Sequence, residues 1–379
     1  MSRYNFLAKL LEYEPGSGPF ISAYLDAQVN ENGKRTFDVV LRKQISEYLD
    51  TLAEDSDERR WFEQDVDKLN EFADKLDPSV RGAAIFASSG TGFFKTFEFQ
   101  VPFDETMFFV FDRPHLYPLI KLASQHRRFA VAQADTNSAH IYVFGRGEVF
   151  SRDDIQNVKT NRSEVGGWSQ MRYQRHIENF HQQHAKEIVS ELDKLVREDR
   201  IERVILAGDE TVIIPLLKAE LSKELQEKVI GTMSLSFDAP EHEVLEEAEK
   251  IVDRHDSLED MKAIEALREQ DHENGRGVTS MQRVLPALLN GQVQELYISA
   301  DFDAIDYNVG QVNKIFKDYA PGIDEGLPSA KQTGMVIDEV LRCAAQTADD
   351  IRFIEDASIL KDAGGVGALL RYQAKGVNM

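Results

Sequence analysis

Short apolar blocks alternate with polar punctuation over the first 125 residues. Phe20-Ile-Ser-Ala-Tyr-Leu25 reads as a strand. Phe37 to Leu52 and Trp61 to Leu76 carry apolar residues at three- and four-residue spacing and are predicted as helices. Gly82 to Ala87, Gly92 to Phe97 and Met107 to Phe111 have the length and aromatic content of further strands. Pro114 and Pro118 then punctuate a boundary.

A second region, 126–262, opens with a predicted hairpin. Arg128 to Gln133 and Ser138 to Phe144 are its arms and Asp135-Thr-Asn137 supplies the turn chemistry. The polar stretch Ser151 to Val165 follows, then a helix with Ala185, Ile188, Val189, Leu192, Leu195 and Val196 on one face. Val204 to Ala207 is a buried strand and Ile214 to Leu225 a second helix. A third region, 263–379, repeats the alternation: helix Thr279 to Leu289, strand Gln294 to Ser299, helix Gly334 to Ala345, strand Ile351 to Ile354, and a closing segment Ala363 to Tyr372. The acidic helical stretch Glu241 to Glu269 is expected to join the second and third regions. The fold class is therefore α/β, with three consecutive α/β domains at 1–125, 126–262 and 263–379.

Composition narrows the function. The chain has 379 residues, 42% apolar and 29% charged, as ordinary globular proteins do. No run of 18 apolar residues is present, the N-terminus lacks a signal-peptide core, and Cys343 is the only cysteine. A cytoplasmic location without disulfides is expected. The net charge of −22 argues against a general nucleic-acid coat, because Lys and Arg drive phosphate binding. The charge is uneven. Phe237 to Asn274 holds 14 acidic against 4 basic residues, while Lys159 to His176 holds Lys159, Arg162, Arg172 and Arg175 against Glu164. A basic tip on an acidic body can still reach RNA; a solvated acidic surface with a chance basic patch is the plainer reading.

Val165-Gly166-Gly167-Trp168-Ser169-Gln170-Met171-Arg172-Tyr173-Gln174-Arg175-His176 runs from this polar stretch into the long helix. A glycine pair by itself marks a turn that needs positive φ. Ser169 suits a helix cap better than a nucleophile, since no base is evident nearby. Arg172, Arg175 and His176 stand at i, i+3 and i+4 and so share a face, either exposed to solvent or set against phosphate.

This segment resembles the catalytic tripeptide region of archaeal and eukaryotic class-1 release factors, where Gly-Gly-Gln is followed by Ser and a basic, aromatic helix start. The order of hairpin, polar loop, Gly-Gly-X-Ser, helix and Val204-Ile-Leu-Ala-Gly208 is that of the family's middle domain. Gly364-Gly-Val-Gly-Ala-Leu-Leu-Arg-Tyr372 is similar to the closing strand of its third domain, particularly in Pelota. The resemblance covers about residues 80–372. It implies three domains that reach the ribosomal decoding centre, the peptidyl-transferase centre and the stalk base.

The departures decide the expected activity. Trp168 stands where the family has its catalytic glutamine, and indole is a donor with no acceptor to position water. Gln170 lies two residues on, where it belongs to the helix and not the loop. The codon-reading motif is missing; its place holds Asp26 to Thr36, in which Asn32-Gly33 marks a turn and Lys34-Arg35 can touch phosphate. His181 and His184 are spaced i, i+3, where zinc helices prefer i, i+4, and Gly90-Thr91-Gly92 is not a phosphate loop. No catalytic residue, metal or cofactor is expected.

The resemblance implies a peptidyl-transferase-centre loop of Gly166, Gly167, Trp168, Ser169 and Gln170. It also implies rRNA contacts by Lys159, Arg162, Arg172, Arg175 and His176, and a decoding-centre loop of Asn32, Gly33, Lys34 and Arg35. The expected partners are the 70S ribosome, through 16S and 23S rRNA, and elongation factor Tu or another translational GTPase. The expected function is that of Balon-type hibernation factors, which occupy the A site without terminating. A rescue factor that hydrolyses peptidyl-tRNA or cleaves tRNA, and a non-catalytic RNA-binding adaptor, are the alternatives.

Overall fold

The computed structural model describes residues 5–30, 34–125, 128–144, 170–198, 201–272, 274–308, 310–312, 315 and 329–372. They form a mixed α/β protein with three four-stranded sheets. The chain divides into two compact units, one built from residues up to Gln125 and from Asp260 onward, the other from the residues between. Regions 1–125 and 263–379, read from the sequence as separate domains, thus contribute to one unit.

In the first unit, a short helix α1 (Ala8–Leu11) precedes β1 (Phe20–Asp26), α2 (Phe37–Leu49), α3 (Asp57–Asp74), β2 (Gly82–Ser88), β3 (Phe93–Phe99) and β4 (Met107–Phe111). The strands are antiparallel in the order β3-β2-β1-β4. β1 is central and has a helical layer behind one face and a second layer behind the other, which explains why Phe20 to Leu25 are all buried and apolar but for Ser22. Its period of two sends Ile21, Ala23 and Leu25 to Phe37, Leu41, Phe62 and Leu69 of α2 and α3. Phe20 and Tyr24 point the other way, into a core shared with the C-terminal layer.

That layer contains β9 (Gly277–Thr279), α9 (Met281–Leu289), β10 (Val293–Ser299), α10 (Ser329–Thr347), β11 (Asp350–Ile354) and β12 (Val366–Leu370), with sheet order β11-β10-β12-β9. β10 and β11 are parallel; β12 runs antiparallel to β10 and β9. The glycines of the closing motif shape its last turn. Gly364 and Gly365 have φ of +67° and +75°, and a Cβ on Gly365 would lie 2.5 Å from the Ala304 carbonyl oxygen.

Residues 117–125, read as a boundary because of Pro114 and Pro118, form helix α4 (Tyr117–Gln125). Pro118 falls in its first turn, where a missing N–H breaks no intrahelical bond. The first N–H groups find an acceptor elsewhere: Leu116 and Tyr117 donate to Oδ1 of Asp338 at 2.7 and 3.0 Å.

The second unit carries β5 (Phe129–Ala134), β6 (Ala139–Phe144), α5 (Gln170–Glu198), β7 (Arg203–Gly208), α6 (Ile213–Glu220), α7 (Lys223–Lys228) and β8 (Val229–Met233). Sheet order is β6-β5-β7-β8, with β5, β7 and β8 parallel and β6 an antiparallel edge. The single helix expected over Ile214 to Leu225 is two. Leu221 is extended, and Ser222 restarts the helix by accepting the Leu225 N–H at 3.1 Å. A long helix α8 (Glu241–Gln270) supplies Val244, Ala248 and Val252 to this unit's core and Ile264 and Leu267 to a cluster of the first unit. No described helix is long and apolar enough to cross a membrane.

Candidate nucleic-acid interface

The β5–β6 hairpin forms with the expected turn: Oδ1 of Asp135 accepts the N–H groups of Asn137 and Ser138 at 2.7 and 2.6 Å. From this sheet rises α5, 29 residues long or about 43 Å at the helical rise. Ala185, Ile188, Leu192 and Leu195 bury its C-terminal half against β5, β7 and α6. The partner strand β7 ends at Gly208, where φ is +149° and a Cβ would stand 2.4 Å from the Ala134 carbonyl oxygen. Only glycine lets β7 close onto β5 here.

Helix α5 begins at Gln170, about 21 Å of helix from the buried His184. The structure therefore places Gln170 on the helix, as its sequence position suggested. Arg172, Arg175 and His176 follow on the helical backbone at i, i+3 and i+4. Lys159, Arg162, Gly166, Gly167, Trp168 and Ser169 lie outside the described residues. His184 is buried and His181 half-buried. Among the described residues no three His, Cys, Asp or Glu side chains converge on a metal-sized site.

The far side of this sheet is tied down by Gln133. Its amide Nε2 donates to the carbonyls of Ser236 and Phe237 at 2.6 and 3.2 Å. Phe237 stacks on His140 of β6 with ring centroids 4.5 Å apart.

The second expected contact surface lies at the end of β1. Asn32 and Gly33 are outside the described residues. Around them the chain is fixed: the Asn30 N–H donates to the Lys34 carbonyl at 2.9 Å, and the Lys34 N–H to Oδ1 of Asn30 at 3.0 Å. Lys34 is exposed. Arg35 is half-buried, and its guanidinium turns back onto the protein. It donates to the carbonyls of Ala27 at 3.1 Å, Leu76 at 3.1 Å, Asp77 at 2.6 Å and Val80 at 3.4 Å. It thereby satisfies carbonyls past the end of α3 and ties the chain at Ala27 and Arg35 to them. Beside it the exposed Arg81 donates to Oε1 of Gln28 at 3.1 Å. The β1–β2 register, Asp26 opposite Gly82, is what brings residue 81 to Gln28, a neighbour the sequence alone does not show.

A two-strand and long-helix platform and a glycine-pinned parallel strand frame the middle of this chain. Residues 114–252 match the model of the bacterial archaeo-eukaryotic release factor family 10, which takes in the whole Gly166–His176 segment. Among solved structures, the chain is similar to the archaeal translation termination factor aRF1, with 16% identity, a TM-score of 0.26, and coverage of 98% of this chain and 99% of that one. It is also similar to Archaeoglobus fulgidus Pelota, with 14% identity, a TM-score of 0.36, and coverage of 78% and 80%. A third likeness is to the translation termination-like factor Dom34 of S. cerevisiae, with 14% identity, a TM-score of 0.39, and coverage of 79% and 81%. None of the curated proteins matches the chain.

Proposed function

We propose that this protein is a translation factor that enters the ribosomal A site and occupies it without releasing the nascent peptide. One observation carries this reading: a segment matching a release-factor family model holds Trp168 where the termination chemistry needs glutamine. An indole cannot accept a hydrogen bond from the attacking water, but it can stack on an exposed base. In this reading the regions 1–125, 126–262 and 263–379 serve as a decoding end, a catalytic-centre end and an end for a translational GTPase, with elongation factor Tu as the expected partner, the first and third regions contributing to one compact unit. Residency without turnover is the behaviour of a hibernation factor, active when translation is idle.

Sedimentation through sucrose gradients tests this. The tagged protein is expected with 70S ribosomes, more in starved or chilled cells than in growing ones. Protein confined to the top of the gradient in both states contradicts the proposal. Peptide release from programmed ribosomes above a no-factor control, abolished by Gly167→Ala, would instead make the protein a rescue enzyme.

A further inference from the structure

Helices α2 and α3 pack on one face of the first sheet and leave a trough of about 410 Å³ between them. They run antiparallel. The ring of Tyr48 packs on Phe62 with centroids 4.7 Å apart, and the Arg59 guanidinium donates to the Leu49 carbonyl at 3.3 Å, so the end of α2 meets the start of α3. Leu41, Ile45 and Val66 make the trough apolar, while Asp38, Arg42 and Asp74 stand exposed along it. Asp38 and Arg42 are one turn apart, yet among the described residues none of these three ions pairs with an opposite charge. Neighbouring ions close within their own helices: Lys43 with Glu47 at 3.9 Å, Arg59 with Glu63 at 3.0 Å and Lys75 with Glu71 at 2.6 Å.

Val39 of α2 is 74% exposed, more than any other large apolar side chain among the described residues. It lies three residues before Arg42 and so shares its turn. One face thus offers an apolar knob, an apolar trough, two unpaired carboxylates and an unpaired guanidinium. A surface that carries both shapes and both signs complements itself under a two-fold rotation, the commonest symmetry of paired chains. With α2 antiparallel to its copy and the axis beside Val39, the two valines meet and each Arg42 comes opposite Asp38 of the other chain. Asp74, at the same end of the trough as Asp38, flanks that guanidinium.

We propose that α2 and α3 form a self-association surface through which two copies of this chain pair. The surface is small. Helices of about 20 and 27 Å set roughly 10 Å apart give less than the about 800 Å² per partner of a standard interface, so pairing occurs at micromolar concentration. This pairing does not rest on the ribosome reading.

The test is the mass of the full chain by light scattering and sedimentation velocity across the micromolar range. The proteins are wild type, Val39→Glu, Arg42→Glu, the double variant Asp38→Lys with Asp74→Lys, and Leu258→Glu. Leu258 of α8 is 52% exposed and serves as the control. Wild type should pass from monomer to dimer as concentration rises, and Leu258→Glu should match it. Val39→Glu and Arg42→Glu should each weaken association by about tenfold or more, because each sets a carboxylate against the apolar contact or the carboxylates of the other chain. The double variant should not pair with itself. Its equimolar mixture with Arg42→Glu should recover the dimer, because opposite charges then face each other. The changed side chains are exposed, and circular dichroism should show each variant folded. Wild type that stays monomeric throughout overturns the proposal. So does a dimer that Val39→Glu and Arg42→Glu leave intact, since the contact then lies elsewhere on the chain. These two variants decide the matter even if the double variant does not fold. A folded mixture that recovers no dimer shows that the two-fold arrangement is wrong.

Discussion

The imidazole of His115 and the carboxylate of Asp338, 223 residues apart in sequence, meet in the interior with Nδ1 2.6 Å from Oδ2. The other oxygen of Asp338 accepts the N–H groups that start α4. The His115 N–H donates to the Ser22 hydroxyl at 3.0 Å, and the Tyr24 hydroxyl to the His115 carbonyl. Tyr117 reaches the carbonyl of Ala300 at 2.9 Å. One buried carboxylate thus ties β1, the turn before α4 and the C-terminal layer into a single satisfied polar network.

Removing that acceptor leaves three buried donors without a partner. Asp338→Ala should destabilise the first unit by roughly 3–5 kcal/mol. Asp338→Asn keeps one acceptor for the α4 amides and should cost about 1–2 kcal/mol. Chemical denaturation of the two variants checks the order, and equal losses would show that the helix-start bonds carry none of the effect.

Backbone geometry gives a prediction of opposite signs. Gly365→Ala places a Cβ against the Ala304 carbonyl at φ +75° and should cost about 1–3 kcal/mol. Ser280 sits at φ +71° without a side-chain capping bond, so Ser280→Gly should be neutral or stabilising, by up to about 1 kcal/mol. Thermal unfolding of both variants reads this directly.

Asp65 of α3 is buried, and burial raises its pKa above the usual value although Ser89 and Lys68 oppose the shift. The folded state then binds its proton more tightly than the unfolded chain does. Its contribution to stability is largest below the unfolded pKa and declines as pH rises through the raised one. In urea unfolding from acidic to neutral pH, the stability of wild type relative to Asp65→Asn should fall as pH increases. A difference that stays constant or grows would contradict the shift.

Much of the fold was legible because its periods are clean. β1, the paired helices over it and the β5–β6 hairpin follow from spacing and turn residues alone. Helix α4 was hidden by Pro118, which breaks a helix interior but suits its first turn. The α6–α7 break was hidden because apolar spacing continues across Leu221 and Ser222, and only the cap reveals it. β8 and β9 are short and draw their definition from neighbours. The Gly166–Gly167–Trp168 segment reads as a motif in the sequence and lies outside the described residues. At the end of β1 the sequence shows the charge of Arg35 but not the four carbonyls that claim it, nor the register that brings Arg81 to Gln28.

Trp168 and the start of α5 should divide their work. Trp168→Ala should weaken ribosome binding by about 1–3 kcal/mol with little change of salt slope, because indole releases no counterions. Arg172→Ala with Arg175→Ala should lower affinity and flatten the slope by about two phosphate contacts. Titration at several salt concentrations separates the two, and no effect from either would mean this tip is not the binding element.

The central claim is occupancy of the A site without termination, and competition with A-site tRNA tests it most directly. Purified protein added to ribosomes with a filled P site should exclude aminoacyl-tRNA from the A site in a saturable way while the P-site peptide stays attached. Simultaneous binding of the protein and A-site tRNA, or release of the peptide, would contradict the account.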